Sequence, residues 1–441
     1  MKNTMQYFIT VLFLVSLVIP INGYCSTSIT PDENYDYPFV NPYEATVLGT
    51  PSLYKKAFPD KIRKKEFELI IFNDRTIPKV FWYHDKLQYS LAWHKKKAPL
   101  IFTIAGTGSG YNSLTMTSLQ KIFFNAGFHV ISLSSPTYPN FIVTASETMV
   151  PGYIEQDSAD LYRVMQKAWQ QINEKMKGKV EVSDFYLAGY SLGAAQSAFV
   201  AKLDDTEKKF NFRKVLMINP PLNLFNSVSI LDEMLDENIP GGLSNFNSFF
   251  NSIFDQFADY YKKNKITLSD PDCLYEMYKD NPVKETDLAA LIGVAFRISS
   301  GNMIFTSDVM TQSSYIVPGN KQLTPFTSLT DYGIVTFHTS FTDYFEEYFY
   351  PYFKARTPGL TREILKSRTS LESIESYLKD TTKIGVITNN DDIILESGAI
   401  DFFKKVFRER AFIYPNGGHC GNMEHIVNVA NMIDFLKQNR P

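Results

Sequence analysis

Cysteine is scarce in this chain, with three in 441 residues (Cys25, Cys273 and Cys420), and no two of them stand at the spacing of a zinc-binding pair. No H-E-x-x-H is present either, so the sequence offers no metal site and the expectation is a protein without metal. There is no long run of Lys and Arg and nothing like an arginine-rich or zinc-finger module. With a net charge of −3, that argues against nucleic acid as a partner. Long apolar runs are missing apart from one near the N-terminus, Tyr7 to Ile19, which is too short to span a bilayer comfortably. Lys2 precedes it and Pro20 and a polar stretch follow, which is the layout of a secretory signal over residues 1–25. The expectation is therefore an exported protein, periplasmic or secreted. Lipid anchoring at Cys25 is the weaker reading, because bulky Tyr24 stands where a small residue is needed. In an oxidising compartment Cys273 and Cys420 either pair or remain two buried thiols, and the second is the simpler expectation.

Aromatic residues, in contrast, are plentiful, with 35 Phe and 26 Tyr unevenly distributed. Residues 26–60 are turn-rich (Pro31-Asp32-Glu33-Asn34, Asn41-Pro42-Tyr43) and without period, and read as an irregular arm. Two runs, 67–72 and 80–83, read as strands paired at a sheet edge. Four unbroken apolar runs, 98–104, 128–133, 185–188 and 215–218, have the character of buried parallel strands, and helical spacing appears between them at 113–125 and 156–176. Two more strands are expected at 384–388 and 411–414, with a helix through Phe402, Phe403 and Val406 and a closing helix at 425–438. Strands alternating with helices predict a mostly parallel sheet covered on both faces.

The stretch that organises the chain is Phe185-Tyr186-Leu187-Ala188-Gly189-Tyr190-Ser191-Leu192-Gly193-Ala194-Ala195. An apolar run passes directly into Gly189-x-Ser191-x-Gly193, and small residues follow at helical spacing. This reads as strand, sharp turn and helix, with a serine lifted clear of the sheet and glycines where side chains would collide. On these residues the chain resembles the α/β-hydrolase superfamily over roughly residues 66–221 and 383–438. The resemblance implies that Ser191 is a nucleophile, followed in chain order by an acid and a histidine.

Serine needs a base to take its proton, and the base needs an acid to fix its tautomer. Of six histidines, only His419 lies on a glycine-flanked loop beyond the last strand; His84, His94, His129, His338 and His425 fall in edge, strand or helix segments. For the acid, Asp391 and Asp392 both fit after the strand at 384–388; counting back along the strand favours Asp392 and counting forward to the helix favours Asp391. The loop Ala105-Gly106-Thr107-Gly108-Ser109-Gly110 has G-x-G-x-G spacing and no acid after the following strand, so it does not fit a dinucleotide fingerprint. By the resemblance it lines an oxyanion hole, with the backbone N–H groups of Thr107 and Leu192 as donors and Gly106 and Gly108 as neighbouring alternatives. No cofactor is expected.

Between residues 222 and 380 strand-like runs almost vanish and helical segments dominate at 227–237, 245–262, 285–299, 337–355 and 361–378. The second and fourth are loaded with rings. The resulting division is an arm at 26–60, a core at 61–221 and 381–441, and a helical cap inserted between the sixth and seventh strands at 222–380. The resemblance implies a carboxylic ester or thioester as substrate, with a peptide amide as the alternative. A binding protein that keeps the scaffold with a silent site is the rival from another class. The expected partner is a small-molecule or lipid-like acyl compound, with peripheral membrane contact through the cap as a secondary expectation. Ring stripes on helices are ordinarily helical core, and any surplus of rings would face the site.

Overall fold

The computed structural model describes residues 35–59, 61–249, 251–252, 255, 272–280 and 282–438; the expected export signal and most of the ring-rich segment 245–262 lie outside them. Eight strands form one sheet: β1 (Lys64–Leu69), β2 (Leu87–Ala92), β3 (Ala98–Ile104), β4 (His129–Leu133), β5 (Val182–Tyr190), β6 (Val215–Ile218), β7 (Ile384–Asn389) and β8 (Ala411–Tyr414). Their order is β1-β2-β4-β3-β5-β6-β7-β8, and β2 alone runs against the rest. The arm contributes helix α1 (Pro42–Leu48); the crossovers hold α2 (Leu114–Asn125), α3 (Pro139–Thr144), α4 (Ile154–Lys175) and α5 (Leu192–Glu207).

Central strands bury both faces, which is why they read as continuous apolar runs. Leu100, Phe102 and Ile104 of β3 point to one side, where Leu161, Val164 and Met165 of α4 and Ala194, Ala195 and Ala198 of α5 meet them. Ile101, Val130, Tyr186 and Ile218 point to the other, against Leu119, Ile122 and Phe123 of α2. At the edge, β1 alternates and exposes its polar residues.

Between β6 and β7 the described residues hold helices and turns and no strand: α6 (Leu224–Asn238), α7 (Cys273–Asp280), α8 (Glu285–Thr311), α9 (Thr330–His338), α10 (Phe341–Tyr344), α11 (Tyr350–Lys354), α12 (Arg362–Arg368) and α13 (Glu375–Asp380). After β7 come α14 (Ala399–Phe407) and, closing the chain, α15 (Ile426–Lys437). Helix α8 is apolar and long enough to cross a bilayer, yet 67% of its most apolar window is buried inside the molecule, as suits a central packing helix. Fully buried Arg297 on α8 reaches Asp232 of α6 at 2.8 Å and the carbonyl of Phe337 on α9 at 3.3 Å, tying three helices together.

Several local expectations are corrected. Residues 80–83 are not a strand: Lys79–Phe81 is a 3₁₀ turn after Pro78 that buries Val80 and Phe81 against the insertion, while β1 pairs with β2 instead. Short apolar runs cannot distinguish these outcomes by period. The arm is not wholly irregular, because Asn41 caps α1 through its side chain and Pro42 takes the first helical position. The helix expected at 285–299 continues to Thr311, and Gly301 inside it lets Thr336 approach: a Cβ there would lie 3.1 Å from the Thr336 hydroxyl. The single helix expected at 337–355 is broken by a Ser340–Asp343 capping box and by a π-helical turn, Phe345–Phe349, ahead of Pro351, which has no N–H to give. That expected at 361–378 is interrupted at Ser370, whose side chain caps the next turn.

Candidate active site

At the end of β5 the chain enters α5 through Ser191, whose φ of 53° and ψ of −126° are sparsely populated for a residue with a side chain. The two glycines permit this approach. A Cβ on Gly189 would lie 2.1 Å from the Gly193 carbonyl oxygen, and one on Gly193 would lie 2.5 Å from that of Ile104. No larger residue fits either position without moving backbone.

The loops after β7 and β8 deliver the partners. His419 Nε2 stands 2.9 Å from Ser191 Oγ, and its Nδ1 stands 2.9 Å from Asp392 Oδ1 and 3.2 Å from Oδ2. Asp392 is buried and also accepts from Asn219 Nδ2 at 2.8 Å and from the Ile394 N–H at 3.3 Å. Asp391 faces elsewhere. Its two oxygens accept from the Gly418 N–H at 2.9 Å and the Gly417 N–H at 3.1 Å, so it braces the loop that carries His419 rather than touching the ring. Burial raises Asp391 above the ordinary carboxylate range despite those two donors. For His419, burial opposes the charged form, but the adjoining Cys420 sulfur and the Asp392 carboxylate favour it and prevail, so the ring sits well above the usual imidazole value. Cys420 is a free thiol.

The glycine-rich loop after β3 lies beside the serine: a Cβ on Gly106 would fall 3.1 Å from that of Ser191. Of its N–H groups, Gly108 donates to Thr137 Oγ1 at 2.8 Å and Gly106 faces the Tyr190 hydroxyl. Those of Thr107 and Leu192 have no partner among the described residues, and Leu192 opens α5, where the first amide groups are unpaired by construction. The remaining histidines serve elsewhere: His129 bridges to the Glu181 carbonyl and the His94 N–H, His84 sits by Asn140, His338 ends α9, and His425, just ahead of α15, turns its ring to Asp36.

Leu192 packs against Leu224 and Val228 of α6 and Phe296 of α8, with Leu231 and Phe341 beside them, so the insertion lays an apolar wall next to the serine. Most rings of the 341–353 stripe are absorbed differently: Tyr344, Phe345, Tyr348, Phe349 and Phe353 pack with Ile142, Val143 and Met303 as core of the insertion. A groove of about 740 Å³ between β1 and α4 contains none of the site residues. Among the described residues no group of three or more His, Cys, Asp or Glu is placed to hold a metal ion.

Two participants escaped the sequence reading. Asn219 follows β6 with φ 48° and orients Asp392, but in sequence it marked only the end of a strand before two prolines. Thr46 on α1 accepts the His419 N–H at 2.8 Å, and nothing local signals a contact 373 residues away.

No family model matches the chain, and no curated protein matches it. Among solved structures it is similar to a putative hydrolase from Legionella pneumophila (10% identity, 87% of this chain and 94% of the other, TM-score 0.42). It is likewise similar to an esterase from the archaeon Pyrobaculum calidifontis (13%, 86% and 84%, 0.40) and to the thioesterase domain of the curacin biosynthetic pathway (12%, 86% and 100%, 0.38). Strand order, the single reversed strand β2 and the strained serine between β5 and α5 give this chain the α/β-hydrolase fold.

Proposed function

We propose that this protein is an exported serine hydrolase that cleaves a carboxylic ester or thioester through an acyl-enzyme on Ser191. The observation that carries the reading is the continuous line from Ser191 Oγ through the His419 ring to Asp392, with both hydrogen bonds, at Nε2 and at Nδ1, 2.9 Å long. In this reading His419 takes the hydroxyl proton as Ser191 Oγ attacks the acyl carbon, and Asp392 holds the proton on Nδ1 and stabilises the imidazolium. The unpaired N–H groups of Thr107 and Leu192 receive the charge that develops on the carbonyl oxygen. His419 then returns its proton to the leaving alcohol or thiol. Water, activated the same way, releases the acid. The apolar side chains around Leu192 support an apolar acyl group, and the 222–380 insertion serves as the cap that covers it. The signal-like N-terminus supports export.

The test is labelling by a fluorophosphonate together with turnover of acyl esters, thioesters and peptide amides. Wild-type protein should label at Ser191 and hydrolyse the ester or thioester best, and Ser191→Ala should do neither while melting at the same temperature. Failure of the accessible serine to label would favour a binding protein with a silent site; preference for amides would make it a peptidase.

A further inference from the structure

The loop that carries His419 is held from two sides. Three consecutive backbone donors are fixed: those of Gly417 and Gly418 by the Asp391 carboxylate, and that of His419 by the Thr46 hydroxyl at 2.8 Å. Thr46 lies on α1, in an arm that the sequence shows as an irregular lead-in to the sheet. Its hydroxyl has a single proton, which it gives to the Pro42 carbonyl one helical turn back at 2.6 Å. That bond fixes the direction of the oxygen, and an accepting lone pair is left for the His419 N–H. The fit is close. A Cβ on Gly418 would fall 2.2 Å from the Pro42 carbonyl oxygen, and one on Gly421 would fall 2.0 Å from that of Ala45, so helix and loop touch backbone to backbone.

Further contacts continue along the same loop. Tyr35 donates to the Asn416 carbonyl at 2.6 Å, Thr50 to that of Gly421 at 2.7 Å, and Lys55 pairs with Glu424 at 2.9 Å. The other side of the arm meets the insertion, where Asn41 donates to Glu285 at 2.8 Å, the Tyr278 hydroxyl donates to Glu44, and the Ser52 N–H reaches Asp272 at 2.9 Å.

We propose that the arm is part of the catalytic machinery, with Thr46 a positioning residue that sets the His419 imidazole between Ser191 and Asp392. The proposal rests on the serine-hydrolase reading for its kinetic readout, whereas its spectroscopic one needs only the contact between His419 and Asp392. Losing the acceptor leaves a half-buried N–H without its partner and frees the loop to drift from Asp392. A loss of about tenfold in kcat is expected, the size of one hydrogen bond, with KM unchanged because Thr46 touches no substrate. Because the Asp392 carboxylate helps raise the His419 ring, a looser pairing moves its titration down toward the ordinary imidazole value.

The experiment uses the full chain as wild type, Thr46→Val and Thr46→Ser. It measures kcat and KM on a p-nitrophenyl ester across pH, the melting temperature, and the titration of the His419 ring by NMR, with its signal identified by its absence in His419→Gln. Thr46→Val should lose about tenfold in kcat and titrate lower at His419, and Thr46→Ser, which keeps the hydroxyl, should restore both. Thr46→Ala removes the same acceptor without added bulk and reads the same quantities if the valine variant folds poorly. A variant that melts lower but keeps wild-type kcat and wild-type His419 titration overturns the proposal and makes the arm a structural strap only. Absence of hydrolysis in wild type counts against the hydrolase reading, while the NMR titration of the variants still decides the positioning of His419.

Discussion

Replacing the adjacent carboxylates one at a time, Asp392→Asn and Asp391→Asn, separates two residues that the sequence left equivalent. Asp392 is the acid in contact with the His419 ring, at 2.9 Å from Nδ1. A carboxamide there removes the negative charge that faces the imidazolium. It also brings an amino group into a site where Asn219 and the Ile394 N–H already donate. If the amino group turns toward Nδ1, the ring must carry its proton on Nε2, where it can no longer accept from Ser191. A change of this kind lowers kcat on the order of 10⁴-fold with geometry otherwise preserved. Asp391, by contrast, accepts from backbone N–H groups, those of Gly417 and Gly418 and its own, and has no hydrogen bond to the His419 ring. Asn keeps one accepting oxygen and loses one charge-assisted bond, which costs about 2 kcal/mol of stability. Its effect on kcat should stay within about tenfold, because the loop remains held at its other contacts. The assay is p-nitrophenyl butyrate hydrolysis at saturation, with thermal unfolding of each variant recorded alongside. A large loss for Asp391→Asn with a small one for Asp392→Asn would refute the assignment, and two mild losses would place the acid elsewhere.

In the proposed mechanism His419 acts as base only when neutral, and its surroundings favour the charged ring, so activity should rise with pH through an apparent pKa above histidine's ordinary value of about 6.5; a kcat/KM profile flat down to about pH 4 would mean that another group takes the proton. Across p-nitrophenyl esters from acetate to decanoate, three added carbons should raise kcat/KM by up to roughly fiftyfold before the pocket fills, at about 0.8 kcal/mol per CH₂. Phe296→Ala, which opens the wall beside Leu192, should move the optimum to longer chains, and activity falling steadily from acetate in both proteins would show that the wall does not bind the acyl group. Gly193→Ala should yield little folded protein by circular dichroism, since its Cβ would meet the Ile104 and Ala105 carbonyl oxygens at 2.5 and 2.6 Å; a soluble variant with wild-type melting would show that the backbone there can yield.

Features written in adjacent residues were legible from sequence. The strand, glycine-flanked serine and small-residue helix around Ser191 are one local unit, and the doubly buried strands announce themselves as unbroken apolar runs because both faces are covered. The order of serine, acid and histidine is what the resemblance to the α/β-hydrolases implies, and His419 could be singled out from six histidines by its glycine-flanked loop after the last strand. Tertiary structure alone decided what depends on direction or distance. Asp391 and Asp392 differ by one step along the chain, and only the path of the loop turns one toward the ring and the other toward the Gly417 and Gly418 amides. The rings of the 341–353 stripe read in sequence as helical core with any surplus facing the site, and only folding shows the division: Tyr344, Phe345, Tyr348, Phe349 and Phe353 close on one another and on the segment after β4, while Phe341 lies beside the Leu192 cluster. Thr46 and Asn219 carry no local signature at all: a hydroxyl and a carboxamide gain meaning only when folding brings them to His419 and Asp392 across 373 and 173 residues.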